Sequence, residues 1–155
     1  MACPFFMPEE RFDGGWSFPQ RLPLGAGWSG KCTAPGYEGA RPNSEELKAA
    51  CNMGYARSCH RLPAERHADA VRFALSAPSC AKAARAGAPG GGERDGIVRV
   101  LFVCERAHLP ASYGELLYDK VSGNWLQRHD NACLQRMAEC YLQAQMQRRS
   151  GSLST

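Results

Sequence analysis

Proline and glycine punctuate the first 42 residues so densely that a helix cannot run through them, and a strand is interrupted early. Pro4, Pro8, Pro19, Pro23, Pro35 and Pro42 alternate with Gly14, Gly15, Gly25, Gly27, Gly30, Gly36 and Gly39. Each removes a backbone donor or loosens φ, so regular hydrogen-bond ladders are expected to fail here. The same stretch carries Phe5, Phe6, Phe12, Trp16, Phe18, Trp28 and Tyr37. A disordered tail is poor in aromatics. The segment is therefore expected to be irregular yet folded down, and something other than a ladder must hold it.

Cysteine supplies a candidate. The chain has eight cysteines in 155 residues. An even count suits a disulfide framework in a secreted protein. The opening residues, Met1 to Arg11, show no basic region and no apolar run, and Pro4, Pro8, Glu9 and Glu10 interrupt them. They do not read as a secretory signal, and no run reaches the roughly 18 apolar residues of a membrane helix. A cytoplasmic location is expected, where thiols stay reduced and clustered cysteines hold metal or do redox chemistry. Four of them frame the irregular half: Cys3, Cys32, Cys51 and Cys59. Their spacings lack the short Cys-x-x-Cys knuckles of structural zinc sites. Iron–sulfur clusters accept more dispersed thiolates, and Cys-Pro is a familiar neighbour there, as in Cys3-Pro4. The expected site is thus Cys3, Cys32, Cys51 and Cys59 around a [4Fe–4S] cluster, with zinc as the alternative. His60 is the substitute ligand should Cys3 fail, and Trp28 and Tyr55 are candidate shielding residues. The bland reading is that these thiols are small core hydrophobes. That reading is preferred for Cys80, Cys104, Cys133 and Cys140.

The pieces Cys3-Pro4, residues 21–25 (Arg-Leu-Pro-Leu-Gly), residues 28–32 (Trp-Ser-Gly-Lys-Cys) and residues 51–59, which open Cys-Asn-Met-Gly-Tyr-Ala, carry a resemblance. Together they resemble a set of small bacterial proteins to which no function is attached. The resemblance covers mostly the first 75 residues. It implies only that the four cysteines belong together.

Periodicity gives the remaining elements. Asn43 followed by Glu46 makes a capping box for a short helix over residues 43–56, with Gly54 as its terminator. Residues 70–75 alternate apolar and polar, as a strand with one solvated face does. Residues 81–96 are Ala- and Gly-rich and read as a flexible loop. Residues 97–105 are the strongest strand, apolar on both faces except at Arg99, and are expected to be central. Two further strands are expected over 114–119 and 124–128, then a helix to about residue 149 with the stripe Leu134, Met137, Ala138, Tyr141 and Leu142. The expected fold class is α+β: an antiparallel meander of about four strands with a C-terminal helix, plus a loop-rich cysteine-containing N-terminal half. One domain is expected over 1–149, comprising a loop-rich half over 1–62 and a sheet-plus-helix half over 69–149, with 150–155 frayed.

Function follows the site. The expectation is a cytoplasmic iron–sulfur protein for electron transfer, redox sensing or metal-stabilised adaptation to a protein partner, more a binding protein than an enzyme. A zinc-stabilised interaction module, touching nucleic acid through Arg57, Arg61 and Arg66, is the alternative. A thiol enzyme using Cys59 with His60 or His67 is the third. The formal charge is +4, and no basic run exceeds Arg148-Arg149, which argues against nucleic acid as the main partner. No hydrolase or metalloprotease motif occurs. The Gly90–Gly92 run lacks the Lys-Ser/Thr ending of a phosphate loop, and no small-molecule substrate is evident.

Overall fold

The computed structural model describes residues 1–55, 58–76 and 96–151. Nearly all of the expected 81–96 loop lies outside these residues, as do Arg57, Cys80 and the tail 152–155.

Strands β3 (Ala70–Leu75), β4 (Ile97–Arg106), β5 (Leu109–Asp119) and β6 (Asn124–Gln127) form an antiparallel meander in the order β3-β4-β5-β6. A C-terminal helix, α2 (Ala132–Gly151), covers one face. The architecture is mixed α+β. On β4 the alternation places Val100, Phe102 and Cys104 in the core, under α2. The opposite face, with Arg99 and Leu101, is exposed. β4 is central in its pairing, but its second face is uncovered, contrary to the two-sided burial its apolar sequence suggests.

The β4–β5 hairpin turns at Ala107 and His108, both at positive φ (49° and 65°). A two-residue hairpin needs such angles, yet normally fills them with Asn-Gly. The sequence carries no such signal, so the strand expected from residue 114 begins at Leu109. Two outside contacts hold the turn. Asp69 Oδ2 accepts the Ala107 N–H at 2.8 Å, and the Tyr55 hydroxyl accepts the His108 N–H. The Tyr55 ring also stacks on His108 at 4.1 Å.

The first 42 residues hold a ladder after all. β1 (Phe6–Arg11) and β2 (Trp28–Cys32) pair antiparallel, with Phe6 opposite Cys32 and Pro8 opposite Gly30. Pro8 fits because a two-stranded ribbon consists only of edges, and the register shifts just after it. Gly30 is required there, since a β-carbon would stand 2.0 Å from the Met7 carbonyl oxygen. The free edge of β1 is satisfied by α2. Arg136 donates to the carbonyls of Pro8 (3.0 Å) and Glu9 (3.1 Å), and the Cys133 thiol donates to that of Phe6 (3.0 Å).

This explains why α2 is buried beyond its expected stripe. Leu134, Met137, Ala138, Tyr141 and Leu142 are all buried, and Tyr141 stacks on Phe73 of β3. Cys133, Cys140 and Ala144 are buried too. The helix is packed between the sheet and the ribbon. Asn131 caps its start, its side chain accepting the Leu134 N–H at 3.0 Å. The two halves are further joined at the start of the chain, where Ala2 forms a bridge with Val71, one bond in each direction at 2.8 Å.

Ala107→Asn tests the turn. The left-handed region costs a residue with a β-carbon about 1–2 kcal/mol, and Asn recovers part of this. Urea unfolding is expected to show a gain on the order of 0.5–1 kcal/mol; a loss would mean that the turn is not held at positive φ.

Candidate metal centre

Four separate stretches deliver the four cysteines. Cys3 follows the Ala2 bridge, and its N–H donates to the Cys51 carbonyl at 3.1 Å. Cys32 ends β2. Its N–H donates to Ala40, and its carbonyl accepts from Gly39, at 2.8 and 2.9 Å, so the 33–40 loop closes back on it. Cys51 ends the short helix α1, residues 44–51, in which an α turn (Ser44–Glu46) runs into a π turn (Leu47–Cys51). Cys59 lies on the loop beyond, half-buried, where the other three are buried.

The end of α1 is set by Asn52, which the sequence reading passed over. Its backbone N–H and its side-chain Nδ2 both donate to the Leu47 carbonyl, at 2.9 and 3.0 Å. That carbonyl is five residues back, so the last turn widens and the helix stops at Cys51 rather than at Gly54. The same side chain grips β2: Nδ2 donates to the Trp28 carbonyl (2.8 Å), and Oδ1 accepts the Trp28 N–H (2.9 Å). This buried amide fixes the helix end bearing Cys51 against the strand bearing Cys32. At the other end of α1 the expected capping box is complete, with Asn43 Oδ1 accepting from Glu46 (2.9 Å) and Glu46 Oε2 accepting from Asn43 (2.8 Å).

Cys3, Cys32, Cys51 and Cys59 all line one recess, walled by Phe5, Phe6 and Leu62 among apolar neighbours, with Arg61 as its charged member. It spans about 320 Å³ of space free of protein atoms, part of it open to solvent. Arg61 is tied to Glu46 at 2.8 Å. Trp28 and Tyr55 do not line the recess: Trp28 is buried under the Arg11 guanidinium, 4.4 Å from its ring, and Tyr55 serves the hairpin. His60 is exposed and packs edge-on against Tyr37, and His67 is exposed; neither lines the recess. Arg61 and Arg66 are both ion-paired, to Glu46 and to Asp69, which leaves neither as an open basic contact.

The environment of the sulfurs is uneven. Burial pushes the Cys3 thiol well above its ordinary range, opposed by a hydrogen bond from the Phe5 backbone N–H. Burial pushes Cys51 up to about 12, with the neighbouring Cys59 and Cys32 adding to it. The Ala34 N–H donates to Cys32 Sγ at 3.4 Å. Backbone donors two residues after Cys3 and Cys32 thus face sulfur. Among the described residues, no group of three or more His, Cys, Asp or Glu side chains is placed to hold a single metal ion. The four thiols share a recess without closing to the tight tetrahedron of a zinc ion.

The remaining described cysteines are packing residues. Cys104 lies on the core face of β4. Burial raises Cys133 and Cys140 to about 11. Cys133 is a neighbour of Cys32 but points its thiol at the Phe6 carbonyl. Comparison with family models, curated proteins and solved structures finds no match to this chain.

Two outcomes follow. Asn52→Ala removes the side-chain partners of the buried Trp28 N–H and carbonyl, while the Leu47 carbonyl keeps the residue-52 backbone N–H, and is expected to cost on the order of 2–4 kcal/mol. Asn52→Asp should cost more, since a carboxylate then faces two carbonyls; chemical unfolding reads both, and a change below about 0.5 kcal/mol would contradict the clasp. The second outcome concerns pH in the metal-free chain. Cys51, Cys133 and Cys140 have folded values of about 12, 11 and 11, above the ordinary 9.0. The folded state holds these protons more tightly, so their contribution is complete below about pH 9 and is lost as pH rises through 11 and 12. Thermal midpoints should fall over that alkaline range, and less steeply in a Cys133→Ala, Cys140→Ala chain. An unchanged slope would contradict the assignment.

Proposed function

We propose that this chain is an iron–sulfur protein in which Cys3, Cys32, Cys51 and Cys59 hold a [4Fe–4S] cluster, and that it works in redox sensing or electron transfer rather than as an enzyme with an organic substrate. The observation that carries this reading is the convergence of four thiols from four separate stretches on one apolar recess. Three features support a cluster over a single zinc ion. The thiols do not close on a point. Two backbone N–H groups aim at Cys3 and Cys32 sulfur, the kind of contact that tunes cluster potentials. Phe5, Phe6 and Leu62 supply the apolar shell that governs solvent access. Arg61 adds a positive charge beside what would be a net-negative cluster with its four thiolates.

The described cysteines are free thiols, and a reducing, cytoplasmic setting is proposed together with the cluster. Among the described residues no helix is long and apolar enough to cross a membrane. A protein partner is proposed as the recipient of the electron or the signal.

Anaerobic purification tests the proposal. The expected result is a brown protein with near-equal iron and acid-labile sulfide, whose visible absorbance is bleached by dithionite. Serine at Cys3, Cys32 or Cys51 should prevent loading and loosen the first half, because binding energy here is folding energy. Serine at Cys133 should cost packing alone. A colourless protein with stoichiometric zinc would replace the cluster reading by a zinc-stabilised module, and a protein that takes up neither would overturn both.

A further inference from the structure

The four thiols are not equivalent, and the difference points to what the cluster would respond to. Cys3, Cys32 and Cys51 are buried, at 6%, 9% and 8% relative exposure. Each is also fixed by its backbone: Cys3 to Cys51, Cys32 within the closed 33–40 loop, and Cys51 in the widened turn locked by Asn52. Cys59 differs on both counts. It is half-buried, and it stands on a loop, where its carbonyl accepts the Leu62 N–H at 3.1 Å in a local turn. Its neighbours Ser58 and His60 are exposed. Among the four thiols of the recess, Cys59 is thus the one that keeps a solvent-facing surface.

Resting on the cluster reading above, we infer that Cys59 binds the exchangeable iron, and that an oxidant, dioxygen in the first instance, converts the centre to a three-iron form by releasing that iron. The step balances. One electron passes from [4Fe–4S]²⁺ to dioxygen, giving superoxide and [4Fe–4S]³⁺. The oxidised core then loses one Fe²⁺ and becomes [3Fe–4S]⁺. The Cys59–iron bond breaks with its electron pair remaining on sulfur, and the thiolate takes a proton from water. Three thiolates suffice for a three-iron core, and Cys3, Cys32 and Cys51 are the three that the backbone locks in place. Loss at Cys59 therefore leaves the rest of the site standing and frees a solvent-facing thiol. That combination suits a sensor better than a carrier, because a carrier must survive its oxidised state intact.

The experiment compares the full-length chain with its Cys59→Ser and Cys51→Ser variants, each loaded anaerobically with iron and sulfide. The readouts are iron and sulfide content, electron paramagnetic resonance, and circular dichroism as a check of folding. The wild-type chain should load four irons and, on titration with dissolved dioxygen, release about one iron per chain as a three-iron signal appears. Cys59→Ser should assemble the three-iron centre directly, or shed its fourth iron at lower oxidant, whereas Cys51→Ser should hold no stable cluster. A second measurement does not depend on the variants folding: after dioxygen exposure of the wild-type chain, maleimide labelling read by mass spectrometry should mark Cys59 ahead of Cys3, Cys32 and Cys51. The inference is overturned if Cys59→Ser loads four irons as stable in air as those of the wild type, if Cys51→Ser instead gives the three-iron centre, or if labelling marks Cys51 first. A wild-type chain that takes up no iron and sulfide would overturn the cluster reading itself. One that loads four irons and then loses the whole cluster without a three-iron stage would overturn only the role given to Cys59.

Discussion

The joint at Cys3 and Cys51 is the constraint on which the rest depends. There the first residues, the end of α1 and the four-stranded sheet meet without a shared ladder. Ala2 is bonded to Val71 of β3, and Cys3 to the carbonyl of Cys51. One residue further on, Asn52 ties the helix end to β2 at Trp28. These few bonds turn a proline- and glycine-broken stretch into a fixed wall of the recess. A buried amide with its hydrogen-bonding groups paired is worth more in specifying position than in net stability, since leaving those groups unpaired is what costs.

The recess sets two opposing demands on sulfur. Without metal, burial favours neutral thiols, and Cys51 in particular holds its proton to about 12. The proposed metal would need thiolates, so its loading would have to expel those protons and recover the desolvation cost through metal–sulfur bonds and the N–H donors from Phe5 and Ala34. On the proposed reading the site would have two packed states: a small apolar cluster of thiols and a charged, ligated centre. Cys133, beside Cys32 but donating to the Phe6 carbonyl, belongs to the first kind in either state.

Much of the sheet-and-helix half was legible in the sequence because its signals are local. Alternation along 70–75 and 97–105 and the Leu134–Leu142 stripe place apolar residues on one face at the period each element demands. The capping box at Asn43 and Glu46 was readable for the same reason. The ribbon β1–β2 was not. Pro8 argues against a strand, and only the pairing with Gly30 and the carbonyl partners supplied by Arg136 make it tolerable. The hairpin turn at Ala107 and His108 was hidden likewise, since its positive φ angles are held by Asp69 and Tyr55 from elsewhere in the chain. At the site, the four cysteines were visible as residue types, and that they share one recess is a matter of tertiary structure. Asn52 and the Phe5, Phe6 and Leu62 walls carry no motif that marks them, and Trp28 and Tyr55 looked like shields only because they are aromatic.

The central claim is that Cys3, Cys32, Cys51 and Cys59 act as one set. Differential alkylation, read residue by residue by mass spectrometry, tests it most directly, on the anaerobically purified chain before and after treatment with oxidant and chelator. The account predicts that these four change together from protected to reactive, while Cys104, Cys133 and Cys140 keep the reactivity they had. Four independent responses, or protection that is the same before and after treatment, would contradict it.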